Sequence, residues 1–147
     1  VIENVALLYS VTETLKDKFP TNNILIDDNE KEIKVPTFHI KVSPLKNKNE
    51  FNWRNKLLNI HIEYIEPVKK QENSLRILDA LTELFDDNIY VNSIALPIGE
   101  KDTNSDADPV SMTMTLNFFD ERTNPDVTPD TIYDALMGIL KLNITGE

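Results

Sequence analysis

The sequence predicts an α+β fold: a mixed or antiparallel sheet of about five strands flanked by helices, in the order αβββαββα. Two stretches carry the strand part of that expectation. In Lys56 to Pro67 the apolar Leu58, Ile60, Ile62 and Tyr64 alternate with Asn59, His61 and Glu63. In Val110 to Phe118, Met112, Met114 and Leu116 alternate with Thr113, Thr115 and Asn117 in the same way. A period of two marks a strand with one buried and one wet face. The helical part rests on Val5, Leu8, Val11, Leu15 and Phe19, whose three-to-four spacing describes an amphipathic helix over residues 2–18.

Pro20 ends that first helix, since a proline ring clashes with the preceding turn. Asn22 and Asn23 make a turn, and Ile24 to Ile26 read as a short first strand. After a charged turn from Asp27 to Lys34, the residues Phe38, Ile40 and Val42 alternate with Thr37, His39 and Lys41 in a second strand over Val35 to Leu45. Ser43 to Asn55 reads as a loop, with Pro44, several Asn and Lys residues, Phe51 and Trp53. Two roles stand open for its aromatic residues. They either cover an edge of the chain's own core, or anchor an arm to a partner, because Trp and Arg, here Trp53 and Arg54, are enriched among energetically dominant interface residues.

The third strand ends at Pro67, which has no backbone donor for a ladder. Leu75, Leu78, Leu81 and Phe85, broadened by Ile77 and Leu84, form a second helix with Asn73 or Ser74 placed to cap it. Ile89 to Ile98 reads as the fourth strand, and Glu100 to Asp108 as an acidic loop before the last strand, with which it forms a hairpin. A polar loop from Asp120 to Val127 leads to Thr128, Pro129 and Asp130, a helix start with a capping hydroxyl and an acid near the positive helix end. Ile132, Ala135, Leu136, Ile139 and Leu140 form the apolar stripe of this third helix, widened by Tyr133 and Met137. No repeat or linker interrupts the chain, so residues 1–147 are expected to form one domain, with 123–147 a C-terminal loop and helix extension.

Composition narrows the chemistry. With 147 residues, 40% hydrophobic and 27% charged, the chain has the balance of a folded globular protein. No apolar run approaches the ~18 residues of a membrane-spanning helix. The first residues lack the pattern of a secretory signal, and a start at Val1 leaves room for a removed initiator or short leader. With no cysteine, the sequence offers no disulfide, thiolate ligand or cysteine nucleophile. A formal charge of −10 opposes attraction to phosphate backbones and anionic membranes, so neither nucleic acid nor membrane is an expected partner.

Candidate chemical motifs fall short. Asp102, Asn104, Asp106 and Asp108 place oxygens at alternating positions, as at the start of a calcium loop. Ala107 and Thr113, however, stand where that loop needs glycine and an acid. His39 and His61 are the only histidines. Both lie on polar strand faces and become neighbours if their strands pair, with Glu63 nearby, but their spacing matches no zinc motif. The three glycines build no phosphate loop, and no Gly-x-Ser-x-Gly elbow occurs. No catalytic residue, metal or cofactor is therefore assigned, and a binding or structural role is expected.

Several local phrases resemble the tail terminator family of bacteriophages and phage-tail-like particles, in particular the small terminator-like proteins of Gram-positive prophages. They are Lys18-Phe19-Pro20 at the end of the first helix, Val35-Pro36-Thr37-Phe38-His39-Ile40 and Leu58-Asn59-Ile60-His61-Ile62-Glu63-Tyr64. Leu78-Asp79-Ala80-Leu81 in the second helix and the closing strand Met112 to Phe119 complete the set. By element order the likeness covers residues 2–122, and 123–147 extend beyond the short members. The resemblance implies a structural subunit of a ring, typically of six copies, that caps the tail tube, stops its polymerisation and presents a surface to the head or neck. The implied partners are further copies of the chain, the tail tube protein, and sheath or neck proteins, in particles assembled in the host bacterial cytoplasm. By the same analogy, Phe51, Trp53 and Arg54 on the arm, Asp102 and Asp106 on the acidic loop, and Ile132, Tyr133 and Leu136 on the last helix are the expected assembly contacts. The rival readings are a neck or head-tail connector protein and a small acidic protein-binding or immunity module.

Overall fold

The computed structural model describes residues 2–27 and 35–121. The element order is α1 (Asn4–Lys18), β1 (Asn23–Leu25), β2 (Thr37–Glu50), β3 (Trp53–Ile65), α2 (Gln71–Leu84), β4 (Asn88–Val91), β5 (Ile94–Asn104) and β6 (Val110–Glu121). The strands form one six-stranded sheet in the order β1-β2-β3-β6-β5-β4. β1 runs parallel to β2, and every other pair is antiparallel, so the sheet is mixed. The expected third helix, with Ile132, Tyr133 and Leu136, lies outside the described residues, as does most of the turn expected up to Lys34.

The two alternating stretches become the central pair of the sheet. β3 and β6 pair from Trp53 opposite Glu121 to Tyr64 opposite Val110, so Leu58, Ile60 and Ile62 share one face with Met112, Met114 and Leu116. That face carries the core together with Phe38 and Ile40 of β2. Both helices cover it. Leu7, Val11 and Leu15 of α1 and Leu78 and Leu81 of α2 are buried there. Phe38 stands between Phe19 and Tyr64, with ring centroids 5.0 and 5.3 Å away, closing the core near the start of β2. α1 touches both β2 and β4, which lie on opposite sides of the strand order, so the sheet curls around this helix. The Ser10 hydroxyl donates to the Tyr90 carbonyl across that contact.

Four expectations are corrected. Ser43 to Asn55 is not a loop: β2 and β3 continue as a paired ladder out to Glu50 opposite Trp53, leaving Phe51 and Asn52 as the turn. Ladder bonds rather than burial hold this part, so its Asn and Lys residues show no apolar alternation. Ile89 to Ile98 is not one strand but two, split at Asn92 and Ser93, whose φ angles of 51° and 67° mark a tight two-residue hairpin turn. This adds the sixth strand. The acidic segment is shorter than a loop from Glu100 to Asp108, because β5 runs to Asn104. The helix edges also differ. Val5 and Leu75 face solvent, Leu7 takes the core position, and α2 begins at Gln71, so Asn73 and Ser74 lie inside its first turn instead of capping it.

The end of α2 is held by a strand residue. Lys101 of β5 points to the helical face and donates to the carbonyls of Thr82, Phe85 and Asp86 at 3.1, 2.9 and 2.8 Å. A cation at the negative end of a helix, bonded to its orphan carbonyls, replaces the basic last turn that α2 lacks.

Candidate functional site

The sheet face opposite the helices is polar, and no described element packs on it. Strand alternation places His39 and Lys41 of β2, Asn59, His61 and Glu63 of β3, Thr113 and Thr115 of β6, and Glu100 and Asp102 of β5 on this face. Cross-strand bonds tie its middle together, with His61 Nδ1 2.8 Å from Thr113 Oγ1 and Thr115 donating to Asn59 at 3.1 Å, while along β3 His61 Nε2 lies 3.3 Å from Glu63 Oε1. The two histidines are diagonal neighbours, because Lys41 stands opposite His61 and His39 opposite Glu63. Among the described residues no group of three potential metal ligands converges.

Aromatic side chains gather at one end of this face. Phe51 at the β2–β3 turn is 67% exposed, Trp53 54% and Phe119 58%. Trp53 pairs with Glu121 and Asn55 with Phe119, so Trp53 and Phe119 are diagonal neighbours on the same face. Phe51 and Trp53 are thus exposed rather than packed into the chain's own core. Arg54 points to the other face, where its Nε donates to Asn49 Oδ1 at 3.1 Å. Phe119 was not singled out in the sequence, although Phe118 and Phe119 adjoin in a strand whose Phe118 faces the core, which forces Phe119 outward.

Asp102 and Asp106 lie toward the opposite end. Asp102 stands on β5 opposite Thr113, and from Glu121 to Thr113 along β6 is about 27 Å of strand. Asp106 sits in the short loop after β5, where the Asn104 side-chain oxygen accepts the backbone N–H groups of Asp106 and Ala107, both at 3.1 Å. The alternating oxygens are thus divided between a strand and a turn that uses one of them internally. The expected contacts Phe51, Trp53 and Arg54 are brought together on the hairpin, Asp102 and Asp106 form a second locality, and Ile132, Tyr133 and Leu136 lie outside the described residues.

Among the described residues two titratable groups are perturbed, and both act within the fold. Burial pushes the Tyr64 phenol above its ordinary value of 10.0, and Glu66 adds to this by its charge and hydrogen bonding. Burial also works to raise Asp120, but hydrogen bonds from Lys56 and the Ile2 backbone, with the Lys56 charge, outweigh it and hold the carboxyl below 3.8. Neither group adjoins a nucleophile arranged for catalysis.

Among the described residues the sheet has open edges along parts of β2 and β5, besides the outer sides of β1 and β4 and that of β6 at Asn117–Glu121, which β5 does not reach. β1 covers β2 only at Thr37 to His39, leaving Ile40–Glu50 without a strand on its outer side. β4 covers β5 only at Ile94 to Pro97, and beyond it the Ile98 N–H bonds the Asp87 carbonyl at 2.8 Å, leaving Gly99–Asn104 open.

A family model described as a phage tail terminator protein matches residues 6–128. The match begins inside α1, covers every later described element through β6 and stops where the expected third helix begins. No curated protein matches the chain.

Proposed function

The chain belongs to the phage tail terminator family, and from that premise we propose that it is a ring-forming subunit, six copies to a ring, that caps the tail tube, blocks further addition of tube subunits and presents the surface met by the head or neck. As a member of that family it is a structural tail protein, and its reading as a non-enzyme follows from the same premise. The observation that carries the proposal is the family match over most of the chain. Its surface supports it: Phe51, Trp53 and Phe119 are large apolar groups left in water, the kind of side chain that a partner protein covers. We assign Phe51, Trp53 and Arg54, with Phe119 added, to one contact and Asp102 and Asp106 to a second, with Ile132, Tyr133 and Leu136 kept as further candidates. A closed ring needs such a pair of unlike patches on each copy, because its interfaces are heterologous.

The test is the length distribution of tails, measured by electron microscopy, from particles made with the gene deleted and with it restored. Long or ragged tubes that become uniform on restoration are expected. Tails of normal length that fail only to join heads would assign the chain to the neck instead. The absence of any tail phenotype would return it to a small acidic binding module.

A further inference from the structure

We infer that consecutive copies of this chain join by edge-to-edge strand pairing, the open edge of β2 in one copy taking the open edge of β5 in the next, with Lys41 opposite Asp102. This rests on the ring reading above and specifies its subunit contact.

The first argument is geometric. An open strand edge presents unpaired N–H and C=O groups, which a second strand satisfies by extending the sheet. The open edges of β2 and β5 lie on opposite sides of the sheet, as a head-to-tail contact requires. β2, β3, β6 and β5 alternate in direction, so β2 and β5 run oppositely within one copy. Rotation about an axis parallel to the strands preserves direction, and β2 of the next copy therefore meets β5 antiparallel.

Register gives the second argument. The ladder pairs Lys41 with His61, His61 with Thr113, and Thr113 with Asp102, so these four side chains form one row across the polar face. Ser43, Asn59, Thr115 and Glu100 form the next row. Continuing the sheet without axial offset brings Asp102 of one copy beside Lys41 of the following one, and Glu100 beside Ser43. These levels fall where both edges are open, just past the end of β1 and just before Asn104. Pro44, which has no N–H, and the bulge between Pro44 and Lys46 close off this segment of β2 at its far side.

Charge decides which edges meet. The open part of β2 carries Lys41, Lys46 and Lys48, with Glu50 at its far tip, while that of β5 carries Glu100 and Asp102, followed by Asp106 and Asp108. Lys101, between the two acids, is engaged by the α2 carbonyls on the other face. Two β2 edges would set lysine against lysine, and two β5 edges acid against acid. Only the mixed pairing places unlike charges across the junction, a discrimination against twofold contacts. The β2 edge is also recessed. Beside His39 to Val42 runs a groove of ≈ 350 Å³ bounded by Asn4, Val5 and Leu8 of α1 and by Ile26 and Asp27 just beyond β1, so its walls are part apolar and part polar.

The absence of cysteine makes the contact directly testable. Lys41 and Asp102 are both exposed. Within one copy they are separated by three strand spacings, about 14 Å, beyond the ~7 Å limit for a disulfide, whereas opposed residues in an antiparallel pair lie at about 5 Å. Tails carrying Lys41→Cys with Asp102→Cys are oxidised and run on a non-reducing denaturing gel. A ladder of covalent multimers is expected from the double variant, no multimer from either single variant, and dimers alone from particles containing both singles. Tails of uniform length that yield no ladder would overturn the pairing while leaving the terminator reading intact, and a dimer from Lys41→Cys alone would replace it with a twofold contact. Charge exchange guards against loss of assembly in the cysteine variant. Lys41→Asp and Asp102→Lys should each give long or ragged tails, and the chain carrying both should restore uniform ones; uniform tails from both single reversals would overturn the inference. Failure of the terminator reading shows separately, as unchanged tails on gene deletion.

Discussion

Lys56 Nζ lies 2.8 Å from Asp120 Oδ2 on the helical face of the sheet, joining β3 to β6 where both side chains are largely shielded from water. The pair also fixes the chain's start, since the Ile2 N–H donates to the same Asp120 oxygen at 2.8 Å and Lys56 donates to the Ile2 carbonyl at 2.7 Å. Removing one member leaves a shielded charge facing a lost partner. Lys56→Met is expected to lower unfolding free energy by about 3 kcal/mol, and Lys56→Met with Asp120→Leu to recover only part of that loss, because the Ile2 N–H and carbonyl then lose the partners the pair supplied. A double-mutant cycle in urea checks both values.

The same carboxylate sets an acid response. Its folded-state pKa lies below the ordinary 3.8, so its contribution to stability is complete above that value and is lost as pH falls through the folded pKa. The stability difference between the parent and Asp120→Asn is therefore expected to shrink as pH is lowered from about 5 to about 2. Denaturation midpoints measured across that range test the sign.

Lys101 supplies a second stability prediction, because its ammonium serves three carbonyls at the end of α2. Lys101→Met keeps much of the stem's packing and removes the charge and the donors. It should cost about 1–2 kcal/mol, with hydrogen exchange rising first in the last turn of α2. Exchange that rises uniformly across the sheet would argue against a helix-terminal role.

The sheet's centre was legible in the sequence, and its margins were not, for one physical reason. Leu58, Ile60, Ile62, Met112, Met114 and Leu116 are read as strand because alternation reports burial of one face. Lys46 to Glu50 bury neither face, so composition points to a loop while pairing with Trp53 to Leu57 makes a strand. The division at Asn92 and Ser93 was missed because that turn carries no Gly or Pro to announce it. Trp53 is singled out by its residue type alone, and the fold adds that its ring is exposed. Phe119 needed only the alternation already assigned to β6. The open edges of β2 and β5 were beyond the sequence, since an edge is defined by which strand fails to lie beside it.

Ser93 stands at φ 67°, a left-handed conformation that costs a residue with a Cβ about 1 kcal/mol and a glycine almost nothing. With Asn92 before it, Ser93→Gly creates the Asn-Gly pair most favoured in this type of hairpin turn. The variant is expected to be more stable than the parent by about 0.5–1 kcal/mol, read as a higher urea midpoint at unchanged slope. An unchanged midpoint would mean that the chain relaxes the turn at no cost.

Trp53 and Phe119 separate folding from assembly. Both side chains are more than half exposed, and neither belongs to the core cluster, so truncating them creates no cavity. Trp53→Ala with Phe119→Ala should leave the urea midpoint within about 0.5 kcal/mol of the parent. If a neighbouring copy or the tube covers these rings, the same variant should give tails of irregular length, because large aromatic groups at the centre of a contact commonly contribute ~2 kcal/mol or more each to binding. Folding measured by circular dichroism and termination measured by tail length thus report independent consequences of one change. A destabilised monomer would show that the rings support the sheet, and uniform tails from a fully folded variant would remove this end of the polar face from the assembly contacts.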